Sequence, residues 1–461
     1  MATQLILPLA ALLLCAGCNL TPEYRQPAPP VPQAWPGPAG EPGAAATDLH
    51  WQEFCTDAKL RSVIQLALDN SRDLRVTALN VEKTQALYRI QRGELFPAIG
   101  VQAASQNYRL PERMNSNGQA SIYRQDTVQV GILTWELDFF GRLSSLKDQA
   151  LNQFLATEQA HSAARIGLVA AVAQGYFAYA ADRENLQLAQ ATFEAQQATH
   201  DLISRRRDAG IASDLEVLQA QSQADAARAD TARYRGLVAQ DLNALDLLTG
   251  TGVPANLLPD RLDSAGDLKD VSAGLPSQVL LLRPDIRMAE YQLKAAYGNI
   301  GAARAAFFPS VSLTAGVGTM SPDVSHLFGS GTRTWTFAPT ILAPIFAGGS
   351  LKANLKAAEI SRDMAVAQYE KAIQSAFREV SDGLAQRSAL GDQLEAQRSL
   401  VAALDAGYRL AQARYQSGMD SYLNVLVAQG SLYAAQRGLV ATELGLRATR
   451  ITLFKALGGQ M

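Results

Sequence analysis

The sequence predicts a mainly α-helical chain that also contributes strands to a membrane β-barrel, and three observations carry that expectation. Two long stretches, Leu143 to Gly250 and Leu351 to Gly458, contain no proline and break once near the middle at a glycine. Segments of alternating apolar and polar residues precede each stretch. Both features occur twice in the same order, so the chain is an internal two-fold repeat.

The helical expectation rests first on proline. None falls between Pro111 and Pro254 or after Pro344, and a helix interior tolerates proline worst of all residues. Each stretch reads as a helical hairpin, with the turns at Arg207-Asp208-Ala209-Gly210-Ile211-Ala212-Ser213 and Tyr415-Gln416-Ser417-Gly418-Met419-Asp420-Ser421. Gly210 and Gly418 suit a left-handed position past a helix end, and Ser213 and Ser421 suit the cap of the next helix. The arm from Leu143 to Asp208 would run about 100 Å at 1.5 Å per residue.

Beyond the first turn, Val217, Ala220, Ala224, Ala227, Thr231, Tyr234, Val238, Asp241, Leu245 and Leu248 alternate steps of three and four. A shift of 208 positions gives Val425, Ala428, Leu432, Ala435, Leu439, Thr442, Leu446, Thr449, Leu453 and Ala456. These are heptad seams of coiled-coil type, with small residues that let helices approach closely. A single such stripe is ordinary for the buried face of a bundle; two matched hairpins of this length favour an extended assembly.

Composition excludes one class of partner. With 48% hydrophobic and 18% charged residues and a net charge of −2, nothing suggests a surface for nucleic acid. Residues 1–17 hold an apolar run, Leu5 to Leu14, too short to span a bilayer and suited to a signal peptide. Cys15-Ala16-Gly17-Cys18 follows, and resembles a bacterial lipobox that would acylate Cys18, although no Lys or Arg precedes the run and Cys15 replaces the usual leucine. With those two cysteines removed or lipidated, only Cys55 remains, so the mature chain forms no internal disulfide and Cys55 is expected to be a small buried residue.

The expected organisation is a signal peptide over 1–17, then the acylated Cys18 and an extended strap over 18–56, rich in proline from Thr21 to Gly43. Repeat one covers 57–250, with a helical region from Asp57 to about Glu94, strands near 98–110 and 125–139, and the hairpin 143–250. A linker over 251–275 follows. Repeat two covers 276–461, with a helix from Asp285 to Ala306, strands near 310–319 and 333–346, and the hairpin 351–458.

The strands show the dyad pattern of barrel strands. Val311, Leu313, Ala315 and Val317 alternate with Ser, Thr and Gly, as do Trp335, Phe337, Ile341, Ala343 and Ile345 with mostly Thr. In the first half, Val128, Val130 and Ile132 change phase to Leu133, Trp135 and Leu137, which predicts a bulge or an exit from the sheet. Four strands cannot close a barrel and an open edge cannot sit in lipid, so other copies must complete it: two chains for eight strands, three for twelve. The polar loops Pro111 to Arg124 and Ser321 to Thr332 are then expected outside the cell.

No catalytic chemistry is visible. The four histidines, His50, His161, His200 and His326, stand in no HExxH, and there is no Cys-x-x-Cys, P-loop, complete GxGxxG or GxSxG. No cofactor, no metal and no enzymatic activity are expected, the one attached group being the lipid on Cys18.

The residues Cys18-Asn19-Leu20-Thr21-Pro22-Glu23-Tyr24, Asn70-Ser71-Arg72-Asp73-Leu74-Arg75, Trp135-Glu136-Leu137-Asp138-Phe139-Phe140-Gly141-Arg142 and Leu282-Arg283-Pro284-Asp285-Ile286 resemble the TolC-type outer membrane efflux family in its lipoprotein branch. Pro344 to Gly349 and Arg414 to Leu423 extend the resemblance over nearly the whole mature chain. It implies a homotrimer, with a twelve-stranded barrel in the outer membrane continuous with a periplasmic tunnel of helices. The channel would be a passive conduit for drugs or other small toxic solutes, served by a periplasmic adaptor and an inner-membrane RND-type transporter. Type I protein secretion and metal-ion efflux are alternatives on the same scaffold. A structural periplasmic coiled-coil lipoprotein would explain the hairpins but not the strands, and a lipid-anchored hydrolase would need a constellation the sequence lacks. The resemblance places the periplasmic gate at the hairpin turns, with Asp420 forming a ring of carboxylates and Tyr415, Arg206, Asp214 and Glu216 as candidates for the links that hold it shut. The family's further acidic positions are Asn424 and Val427 here.

Overall fold

A computed structural model describes residues 19–36, 49–116, 118–271 and 277–460. The signal peptide, Cys18, the strap residues 37–48, Asn117 and the end of the linker lie outside the described residues. In chain order the elements are α1 (Trp51–Phe54), α2 (Ala58–Asn70), α3 (Arg72–Gly93), β1 (Ile99–Leu110), β2 (Ser121–Leu137), α4 (Arg142–Asp208), α5 (Asp214–Thr249), α6 (Pro284–Ala305), β3 (Ser310–Ser321), β4 (Arg333–Leu342), α7 (Ser350–Gln416) and α8 (Tyr422–Ala456). The pattern of helix, two strands and hairpin occurs twice, as the repeat requires. The helical region before β1 is two helices, divided at Ser71, whose extended backbone interrupts the run while Asp57 caps its start through the Leu60 N–H.

The strands form one antiparallel sheet in the order β1-β2-β3-β4. Its register aligns the apolar faces: Val101 opposes Val130, Val130 opposes Val317, and Val317 opposes Trp335. The expected phase change is a bulge, because the β2–β3 pairing shifts between Ile132 and Trp135. One extra residue there returns Trp135 and Leu137 to the face of Val130 and Ile132. The Thr314 hydroxyl donates to the Leu133 carbonyl across the bulge, at 3.0 Å.

Several expected boundaries are corrected. β2 begins at Ser121 rather than near 125, because Ser121 to Arg124 pair with Leu110 to Asn107, so the first loop is shorter than Pro111 to Arg124. It ends at Leu137 rather than 139, because the Asp138 carboxylate turns back to accept from the Leu143 and Ser144 N–H groups at 3.1 and 2.7 Å, capping the start of α4. β4 ends at Leu342 rather than 346: Pro344 has no N–H to continue a ladder, and Gly348 and Gly349 take positive φ before α7. Pro339 lies inside β4, opposite Leu313, on an edge strand of this chain's own sheet. The strap holds no regular structure over 19–36, but it does not extend to 56. Residues 50–55 form α1 and two bridges, His50 to Gln460 and Cys55 to Leu268. The bonds from Trp51 N–H to the Gln460 carbonyl and from Gln460 N–H to the Leu49 carbonyl tie this segment to the chain's last residues.

Contacts divide the chain into two compact units. One comprises residues 19–28, Asn80–Glu158 and Met288–Glu370 and holds the sheet, most of α6 and the first parts of α4 and α7. Here the strap is seated by bonds from Tyr24 to Glu290 and from Gln26 to Tyr369, and by an edge-on contact of Tyr24 with Tyr297. Burial, then the Glu290 carboxylate that accepts its proton, push the Tyr24 hydroxyl well above the usual phenol range.

The other unit comprises Pro29–Leu79, Gln159–Arg287 and Lys371–Met461 where described, with α1, α2, α5, α8 and the remainders of α4 and α7. Its core is aromatic and aliphatic: Phe54 stacks on Phe454 at 4.2 Å, and Tyr176, Phe177, Leu245 and Leu453 are fully covered. The seams face inward as expected, with Ala220, Ala224, Ala227, Thr231, Tyr234 and Leu245 buried on α5 and Val425, Leu432, Ala435, Thr442, Thr449 and Leu453 on α8. Cys55 is buried and unpaired, and burial pushes its thiol up to about 12.

Candidate functional site

The hairpin turns are built by the same device and finished differently. In each, a glycine in the left-handed region closes the long arm, Gly210 at φ 78° and Gly418 at φ 75°. The N–H groups that follow, Ile211 and Met419, return to the Arg206 and Arg414 carbonyls, satisfying groups a helix end leaves open. Ser213 then caps α5 in a reciprocal box: its hydroxyl accepts from the Glu216 N–H at 3.3 Å, and Glu216 accepts from the Ser213 N–H at 2.7 Å. Those bonds from Ser213 hold the Glu216 carboxyl below its ordinary range. Ser421 occupies the matching position but its side chain makes no cap bond, because Asn424 replaces the glutamate and its N–H goes to the Ser421 carbonyl instead.

The five candidate gate residues separate into three groups. Arg206 and Tyr415 meet directly, the guanidinium donating to the phenol oxygen at 2.5 Å and lying 5.7 Å from the ring centre. They sit over a buried cluster of Ile203, Ala220, Tyr422, Val425 and Leu426, which joins the two hairpins. Asp214 is held at the rim by Arg207 at 3.3 Å, and Glu216 is occupied in the capping box. Asp420 forms no ion pair with Arg206. Its partner is Arg414, the last basic residue of α7, which donates from Nε across the turn. That bond and charge, aided by Asn424, keep Asp420 ionised well below the usual carboxylate range. Sequence reasoning missed Arg414, though a basic residue six positions before an acidic one across a glycine turn was the available signal.

Above the buried tip cluster, Asp230 of α5 collects three donors: Tyr433 at 3.0 Å and Arg437 at 3.2 Å from α8, and its own neighbour Arg233 at 3.1 Å. Arg283, just before α6, is 5% exposed. It donates to both Asp285 oxygens at 3.0 and 2.7 Å, to Glu379 of α7 at 3.0 Å and to the Ala456 carbonyl of α8 at 2.7 Å. These arginines fix helices to one another. No group of three or more metal-ligating side chains occurs among the described residues.

In the sheet the apolar face is bare: Ile99, Val101, Trp335, Phe337 and Ile341 are each more than 60% exposed. A soluble sheet would cover such a face, whereas a lipid-facing one leaves it open. Among the described residues no helix is long and apolar enough to cross a membrane, so the sheet is the element suited to lipid.

Tandem repeats of strand pair and long hairpin, sharing one sheet with a lipid-type face, define an outer-membrane conduit. The family model described as outer membrane efflux protein matches residues 63–251 and 275–459, and the chain belongs to that family. It is 47% identical over 464 residues to a probable efflux pump outer membrane protein, TtgC, of Pseudomonas putida, covering 99% of this chain and 96% of the relative. It is 41% identical to the outer membrane protein OprJ of Pseudomonas aeruginosa, covering 98% and 94%. Among solved structures it resembles a membrane protein from Pseudomonas aeruginosa with a TM-score of 0.89 at 39% identity over 96% of this chain and all of the other. It also resembles the open state of the MtrE outer membrane channel of Neisseria gonorrhoeae, with a TM-score of 0.85 at 34% identity over 96% and 98%. The family is one of conduits and not a class of enzymes, and its place is the outer membrane.

Proposed function

We propose that the chain is the outer-membrane channel of a tripartite efflux pump, working as a homotrimer that exports drugs, solvents or other small toxic solutes. The observation that carries this reading is the sheet: four strands with an exposed apolar face and two unpaired edges, β1 and β4. Edges cannot face hydrocarbon, so copies must join β4 to β1 until a barrel closes, and three copies supply the twelve strands of a small pore. Relatives are named for antibiotic and toluene efflux, which supports the solute class. A periplasmic adaptor and an inner-membrane RND-type transporter would supply substrate and energy, because the conduit itself has no nucleotide-binding motif.

The experiment is native mass measurement of detergent-solubilised protein together with conductance in planar bilayers. A trimer that conducts is expected; a stable monomer, or a trimer without conductance, would sink the proposal. The coiled-coil lipoprotein reading predicts the latter.

Two finer readings belong to this proposal. Cys18 carries the lipid anchor, supported by the Ala16-Gly17-Cys18 sequence, and equal fatty-acid labelling of wild type and Cys18→Ser would refute it. The periplasmic gate lies at the hairpin turns, closed within each chain by Arg206 on Tyr415 and by Arg414 on Asp420. Asp420→Ala should lower cation selectivity or raise conductance, and unchanged values for both would remove it from the gate.

A further inference from the structure

The registers of the sheet align its residues in rows, and on the bare apolar face the rows change character along the strands. From the row of Leu137, Val311 and Ile341 to that of Val101, Val130, Val317 and Trp335, every member is apolar. The next row brings Arg333 level with Ala103, Val128 and Thr319. Beyond it the same face carries Asp126, Arg124 and Arg109. The opposite face is the polar one, with Gln129 donating to Gln102 at 3.1 Å and Tyr108 stacked on Tyr123 at 5.6 Å.

Val311 and Thr319 are eight residues apart on β3, which is about 27 Å along the strand and about 20 Å across a membrane at barrel tilt. The apolar band of a barrel is about 25 Å tall, so it runs out close to Arg333. Trp335, one row below, has the place of an aromatic anchor at the membrane interface.

We propose that Arg109, Arg124 and Arg333 form a phosphate-binding rim on the lipid face, and that its ligand is a phosphorylated glycolipid of the outer leaflet. This rests on the barrel reading given above, with the helical end of the sheet in the periplasm. Arg109 and Arg124 are diagonal neighbours across the β1–β2 ladder, since Arg109 opposes Ile122 and Arg124 opposes Asn107. Such neighbours lie about 7–8 Å apart, so two guanidinium forks can close on one phosphate. All three arginines are exposed, and none has an ion-pair partner among the described residues. Like charges so placed repel each other, and a bound anion removes the repulsion.

Three acids belong to this end of the sheet, and none is free to take that place. Asp126 is 8% exposed, in the row of Ser105 and Ser321. Asp323, which also feels the Arg124 charge, accepts from the Ser325 N–H and hydroxyl, each at 2.9 Å. Glu112 stands beside Arg113 in the short helical turn Glu112–Met114 of the loop.

The spread in height selects the ligand. Ala103, level with Arg333, is six residues from Arg109, about 20 Å along the strand and about 15 Å along the membrane normal. A glycerophospholipid holds its phosphate in one shallow layer, whereas a glycolipid with phosphates on its sugars presents them at several depths.

The test is native mass measurement of the full-length protein in detergent and chelator, titrated with bisphosphorylated lipid A, with the same lipid stripped of phosphate, and with phosphatidylglycerol. Lipid A should bind wild type roughly thirtyfold more tightly than the Arg109→Gln, Arg124→Gln double variant, each arginine near a charged lipid surface being worth about fivefold. Arg333→Gln alone should lose about fivefold. Stripping the phosphates should weaken binding to wild type as much as the double substitution does, a comparison that needs no variant to fold. Equal binding of intact and stripped lipid overturns the proposal, as does an unchanged double variant. Phosphatidylglycerol bound as tightly as lipid A overturns the choice of ligand. A preparation without conducting trimers sinks the barrel reading and this inference with it; conducting trimers indifferent to phosphate sink this inference alone.

Discussion

Replacing Arg283 with alanine should be among the most damaging single changes to the helical unit. The guanidinium joins the start of α6, the middle of α7 and the end of α8 through four bonds, and is 5% exposed. Removing one partner of a buried ion pair costs roughly 3–5 kcal/mol, because the remaining charges lose their counterion. Here the Asp285 and Glu379 side chains are 42% and 43% exposed and can take up water, which places the loss near the lower end of that range. The Ala456 carbonyl adds about 1 kcal/mol if no water replaces its donor. Arg283→Ala should therefore cost about 3–4 kcal/mol, and Arg283→Lys about half as much, since one ammonium cannot meet three helices at once.

Chemical unfolding of the detergent-solubilised protein, followed by helical signal, measures this. The difference should also depend on acid. Asp285 sits below its ordinary value of 3.8: burial opposes this, but the Arg283 bond and charge prevail. A depressed folded value gives stability that is present above 3.8 and lost as pH falls through the folded value. The gap between wild type and Arg283→Ala should be full at pH 6 and shrink below pH 3.8. A variant that unfolds with wild type at pH 6, or a gap unchanged in acid, would refute the reasoning.

The two hairpin caps should respond unequally: Ser213→Ala removes a capping box and should cost about 1 kcal/mol, whereas Ser421→Ala removes no cap bond and should be nearly neutral, as hydrogen exchange in the first turns of α5 and α8 would show. Gly301→Ala should unseat the strap, since its Cβ would stand 2.1 Å from Thr21 Oγ1 and 2.6 Å from Ser145 Oγ; Gly167→Ala, with open space around it, is the control, and faster proteolysis at Thr21 to Gln26 is the readout. Cys55, with burial pushing its thiol to about 12, should resist maleimide in the native protein and react once unfolded.

What the sequence made legible was periodic or local. Missing prolines mark α4, α5, α7 and α8, the glycine turns divide them, and the change of phase at Leu133, which predicts a bulge or an exit from the sheet, falls at a bulge. The candidate site was legible only in part. Arg206 and Tyr415 do meet, but they are more than two hundred positions apart and nothing local announces it. Arg283 shows why: its four bonds depend on three helices converging, and a sequence pattern reports which face of a helix is apolar, not which polar groups arrive opposite it. Ser421 matches Ser213 in position, but Asn424 stands where Glu216 does in the first hairpin, and the side-chain cap bond is absent.

The place where β2 meets β3 has a consequence for how the chain is made. β1 and β2 can pair as soon as their short loop is synthesised, but β2 finds β3 only after α4, α5, the linker and α6 have all emerged. Pairings between distant segments form late, because the intervening chain must first be ordered. The first half must therefore wait as an unfinished ribbon with exposed apolar residues, which is the condition that invites aggregation. Completion of the sheet is thus timed by the second repeat, and a chain truncated before Ser310 would hold only the β1–β2 ribbon of the four-stranded sheet.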